Sequence, residues 1–224
     1  MSNNIQEICE WFNLVESNEQ VVILDFLTNK SQDLSLINEE NRSNLLQLVT
    51  SVVNVIVEKN DDKEIIIKFL LDYGLDRIVV NALYSFCRPL AMPNLDAKLV
   101  AGMNKEIVRK TADFIINKVI IYKDYKLIPF SHFVELTGIN DNEKANRILR
   151  FIKNLYTDVS GRKYSLSMLE NKLNIDYKLP IELTEVIVDL FKQNSVELQQ
   201  VYMLDQMNKL LNKISALSCA IDDR

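Results

Sequence analysis

The chain has 224 residues, 48% hydrophobic and 25% charged, with a net charge of −5 and only four glycines, four prolines and three cysteines. The apolar and charged fractions are those of an ordinary globular protein, and without a massed basic block nothing points to nucleic acid as a partner. So few Gly and Pro residues imply a helical chain with short connections.

The first helix is expected over residues 4–15, with Ile5, Ile8, Cys9, Trp11 and Phe12 inward. Ser17 or Asn18 caps a second over 19–27, and 31–37 reads as a loop. Asn38, followed by Glu39 and Glu40, fits an N-cap with acids opposing the positive end of the helix dipole. The helix it opens, 40–59, is apolar almost all round, so it should lie centrally. A strand over the β-branched run 52–57 is the rival reading, but the run is too long and lacks turn residues. Asp61 or Asp62 caps a short helix over 63–73, and Gly74 stands where a C′ glycine would. Asp76 caps a helix over 77–88, ended by Pro89 and Pro93, so that 88–94 is the expected boundary between halves.

The second half opens with a helix over 104–123. Pro129 starts a short helix to Leu136, closed by Gly138. A long helix over 141–158, a turn at Ser160-Gly161, a helix over 165–173 and one over 181–193 opened by Pro180 follow. The last helix, 196–217, carries Met203, Met207, Leu210, Ile214, Leu217 and Ile221 at steps of four and three, with Val201, Leu204 and Leu211 alongside. It spans too few heptads to class as a coiled coil.

Residues 139–191 echo 37–86. At an offset of 102, residues 37–44 match 139–146 in chemistry. At an offset of 100, Leu48, Val52, Val55 and Ile56 face Ile148, Ile152, Leu155 and Tyr156, and Phe69, Tyr73, Leu75 and Asp76 face Leu169, Leu173, Ile175 and Asp176. The expectation is an all-α fold of two tandem, similar helical units, 1–92 and 93–193, followed by a C-terminal helix and tail, 194–224.

Each reaction class needs particular residue types at particular spacings. One histidine, His132, leaves a Ser or Cys triad without support, and no GxSxG elbow is present. Three distant cysteines, Cys9, Cys87 and Cys219, cannot make a familiar zinc site. The triplets at 60–62 and 140–142 lack the glycine and distal glutamate of a calcium loop and read as helix caps. Four isolated glycines make no phosphate-binding loop. No catalytic residue, cofactor or metal is therefore expected. The candidate partner-binding residues are Met203, Met207, Leu210, Ile214 and Leu217 of the last helix, which could instead dock on their own core, and Trp11, which could instead pack inward. No apolar run is long enough for a bilayer, and neither a secretory signal nor a lipidation box is seen, so a cytoplasmic, or nuclear, protein with reduced thiols is expected.

The order Ile148-Leu149-Arg150-Phe151-Ile152, Tyr164-Ser165-Leu166, Leu169, Leu173, Leu179-Pro180-Ile181-Glu182 and Leu190-Phe191-Lys192-Gln193-Asn194 resembles the N-terminal helical domain of COMMD-family proteins. The first half is similar through Phe69-Leu70-Leu71, Gly74-Leu75 and Leu83-Tyr84. The β-rich C-terminal COMM domain of that family, with its Trp-Arg dipeptide, has no counterpart after Val196. The resemblance implies a non-enzymatic adaptor in a multi-subunit assembly, and assigns no site residue. A small-molecule or lipid-binding bundle is the alternative, because broadly apolar helices can line a cavity.

Overall fold

The computed structural model describes residues 2–29, 34–123, 130–161 and 165–222, with side chains described between 5 and 213 within those ranges. Among the described residues the chain is α-helical, with no strand. Contacts divide it into two compact units, Met1–Leu95 and Asp96–Arg224.

The first unit contains α1 (Ser2–Leu14), α2 (Ser17–Asn29), α3 (Glu39–Glu58), α4 (Lys63–Asp72) and most of α5 (Arg77–Ala101). The β-branched run 52–57 lies within α3, as the helical reading required. Asn38 caps α3 by accepting from Glu40 N at 3.2 Å, and Asp62 caps α4 by accepting from Ile65 N at 3.1 Å. Asp76 accepts from Ile78 N at 2.7 Å and starts α5. Leu48, Val52 and Ile56 of α3 are buried with Ile66 and Leu70 of α4 and Val80 and Leu83 of α5, and these form the unit's core.

The helix expected to stop at Arg88 does not stop there. α5 continues through Pro89 and Pro93 to Ala101. Each proline removes one i→i−4 bond and crowds the carbonyl four residues back. Ser85 and Pro89 are both exposed, so water can satisfy the Ser85 carbonyl, while Cys87, Ala91 and Leu95 hold the opposite side in the core. The division between units accordingly falls inside α5, at Leu95/Asp96, and not in the strip 88–94.

The second unit holds α6 (Lys105–Phe114), α7 (Phe130–Thr137), α8 (Asn142–Ser160), α9 (Leu166–Asn171), α10 (Ile181–Gln193) and α11 (Ser195–Asp222). Pro129, expected to open α7, lies outside the described residues. α6 runs on as a π-helical stretch, Ile115–Ile121, and α9 as another, Lys172–Asp176, where the sequence had implied plain helix. Tyr122 N and Tyr177 N each donate five residues back, to Asn117 O and Lys172 O, both at 3.0 Å. α11 is longer than the expected 196–217 and begins directly after Asn194.

The offset of 100 survives α3 only. It carries Leu45, Leu48, Val52, Val55 and Ile56 onto Ala145, Ile148, Ile152, Leu155 and Tyr156, all buried. Beyond that it fails, because Leu75 is 3% exposed and Ile175 69%. Leu75 and Leu179, both buried, are each preceded by a tyrosine and a positive-φ residue: Gly74 at 80° and Lys178 at 52°. Leu179 N donates to Leu173 O at 2.9 Å, closing a Schellman-type cap around Lys178. A left-handed conformation costs an ordinary side chain about 1–2 kcal/mol and glycine almost nothing, offset by glycine's larger chain entropy. Lys178→Gly should therefore stabilise its unit by up to about 1 kcal/mol and Gly74→Ala destabilise the other by about 1–2 kcal/mol, read as opposite shifts of the urea midpoint.

Candidate protein-docking surface

α11 has two different faces. Its inner face is set by Leu198, Tyr202 and Asp205, spaced four and three apart, which puts them on one side of a helix. Leu198 is buried. The Tyr202 ring meets the Tyr156 ring edge-on, with centroids 6.3 Å apart. A Cβ at Gly161 would lie 2.8 Å from the Thr157 carbonyl oxygen of α8 itself and 3.1 Å from the Tyr202 hydroxyl, so glycine suits the α8 terminus and leaves room for Tyr202 beside it. Burial first, then the charge of Asp205 and Tyr202 nearby, pushes the Tyr156 phenol up to about 12. Asp205 pairs with Lys123 Nζ at 2.6 Å, a surface pair that contributes little to stability.

The inner face ends at Asp205. From 206 to 213 every side chain is exposed. The outer face carries Val196, Met203, Leu204, Met207, Leu210 and Leu211 in a continuous stripe. Met203 is 55%, Met207 57% and Leu210 60% exposed, values that fit solvent-facing side chains and not docked ones. Gln199 and Gln200 join Val196, Met203, Leu204 and Met207 in an open, mostly apolar groove along this face. Of the residues expected here, the side chains of Ile214 and Leu217 lie outside the described residues.

Trp11, the remaining candidate, stands on α1 in the first unit. It is half-buried against that unit's core, its ring edge-on to Phe12, and its indole N–H donates to Asn41 Oδ1 at 3.1 Å. Its polar atom is thus already satisfied within the chain. His132 is exposed, with Nδ1 3.8 Å from Glu135 Oε2. Asp62 and Asp141 cap α4 and α8, and Asp61 accepts from the Tyr84 hydroxyl and Arg88 Nε, both at 2.8 Å. Burial pushes the Cys9 and Cys87 thiols up to about 11 and 12, which suits core packing and not nucleophilic attack. Among the described residues no three metal-ligating side chains converge.

One polar cluster escaped the sequence reading. Asp96 is fully buried; its Oδ1 accepts from Arg147 Nε at 3.0 Å and Arg150 Nη2 at 2.7 Å, and its Oδ2 from Arg150 Nε at 2.6 Å. The i, i+3 spacing of the two arginines places them on one face of α8, but nothing in the sequence ties them to an aspartate 51 residues away. Asp96 is buried while both arginine side chains reach the surface, and both carboxylate oxygens accept from these protein donors.

No family model, no curated protein and no solved structure matches this chain. Among the described residues no helix is long and apolar enough to cross a membrane.

Proposed function

We propose that the chain is a non-enzymatic helical adaptor that takes a partner protein on the outer face of α11. The observation carrying this reading is the stripe of Met203, Met207 and Leu210, each more than half exposed on a helix whose inner face is already seated. Contiguous apolar patches on a soluble surface mark interaction sites, and methionines give such a face an adaptable fit. The resemblance to the helical domain of COMMD proteins points to the same kind of role, in the cytoplasm or nucleus.

The rest of the chain is read as two versions of one five-helix plan, α1–α5 and α6–α10. Buried positions support this in chain order. Ile5, Ile8, Cys9 and Phe12 correspond to Val108, Thr111, Ala112 and Ile115 at an offset of 103. Ile66 and Leu70 correspond to Leu169 and Leu173 at the same offset, and Leu75, Val79, Val80, Ala82, Leu83 and Cys87 to Leu179, Leu183, Thr184, Val186, Ile187 and Phe191 at 104. The extra residue enters at the π-helical stretch Lys172–Asp176, which is how a one-residue insertion is absorbed in a helix. α11 then stands as the element added to the plan.

The test is capture from lysate with the full chain as bait. Met207→Lys with Leu210→Lys should lower recovery of captured proteins by at least about tenfold, as expected for loss of an apolar anchor worth over about 1.4 kcal/mol. Both side chains are more than half exposed and outside the unit's own core, so the substituted chain should still fold. Equal recovery by the wild-type and doubly substituted chains would remove the reading.

A further inference from the structure

The adaptor reading leaves the occupant of the outer face open; resting on that reading, the geometry points to a second copy of this chain, with the two α11 helices paired side by side in parallel register. The length of α11 is the first reason. It is helical over Ser195–Asp222, 28 residues, which is four heptads and not the three expected from sequence. On that frame Val196, Met203, Leu210 and Leu217 fall at d, and Gln200, Met207, Ile214 and Ile221 at a. The later heptads, with Ile214 and Ile221 at a and Leu210 and Leu217 at d, follow the pattern that favours two parallel strands, and a single polar residue at a fixes the register. Gln200 is that residue.

The second reason is exposure. Residues 206–213 lie on a helix with no buried side chain on any face. A helix is held mainly by packing of its amphipathic side, so this segment requires a cover that the described residues of its own unit do not supply. The third reason is area. At about 1.5 Å per residue α11 is about 42 Å long, and with a diameter of about 10–12 Å half of its girth offers on the order of 700 Å². A standard specific interface takes about 800 Å² from each partner. One identical helix is enough to cover the stripe, and the seated side, with Leu198 and Asp205 at f and Tyr202 at c, faces away from it.

Sedimentation equilibrium of the full chain at micromolar concentration should give twice the 25.9 kDa chain mass. Met207→Lys with Leu210→Lys should return it to 25.9 kDa, with any loss of helical content confined to the uncovered turns of α11. In a Cys219→Ser background, Gln200→Cys should oxidise to a covalent dimer, since parallel register places residue 200 against itself. A dimer without that cross-link overturns the parallel pairing, and a trimer or larger species overturns the pair. A wild-type monomer overturns the inference. If its lysate capture still depends on Met207 and Leu210, the adaptor reading stands alone; if capture does not, both fall.

Discussion

Phe191→Ala is expected to destabilise the second unit by about 3–5 kcal/mol, because a fully buried aromatic ring is lost and its cavity only partly collapses. Phe191 is 0% exposed and, with Phe151, is among the largest fully buried side chains. It closes the inner row of α10 formed by Leu183, Ile187 and Leu190, so the space it fills is bounded by side chains already in contact. A domain is stable by about 5–15 kcal/mol in total, so this one change removes a large share. The urea midpoint of the second unit should fall steeply, while Leu210→Ala on the exposed stripe, measured at a dilution where the chain is monomeric, should stay within about 0.5 kcal/mol of wild type. Equal effects of the two substitutions would mean that α10 does not carry the core.

The second large effect is expected at Asp96. Arg147→Met with Arg150→Met leaves a carboxylate in the core without its two guanidinium partners. Breaking a buried pair on one side costs about 3–5 kcal/mol, because the remaining charge is uncompensated. The single changes should be milder and unequal. Arg150 reaches both carboxylate oxygens, at 2.6 and 2.7 Å, and lies closer than Arg147 Nε at 3.0 Å, so Arg150→Met should cost more. Asp96→Asn should cost less than the double substitution, because both arginines are partly exposed and can turn to water. Chemical denaturation of the four variants orders these effects; a double variant no weaker than Arg147→Met alone would show that Asp96 does not depend on its partners.

The helical class was legible because local signals agreed. Asn38, Asp62, Asp76 and Asp141 all cap helices at or within a residue of where acids and amides precede apolar runs. α3 was legible as central because it is apolar on most sides. Two things were hidden. Pro89 and Pro93 read as stops, yet a proline whose crowded carbonyl faces water is tolerated when the opposite side is packed, and sequence does not say which side is packed. The π-helical stretches were invisible because nothing in IINKVII or KLNID, neither of which holds a glycine or proline, sets them apart from ordinary helix. Of the docking surface, the stripe was visible but its direction was not. Met203 and Leu198 are equally apolar by sequence; only the seating of Tyr202 against Tyr156 and the glycine at 161 decide which of them faces outward.

The claim that α11 exists to be covered is tested most directly by amide hydrogen exchange of the intact chain at two concentrations. The account predicts that protection over residues 206–213 rises with concentration, while protection within α3, whose neighbours lie in its own unit, does not change. Exchange over 206–213 that is the same at both concentrations would contradict it.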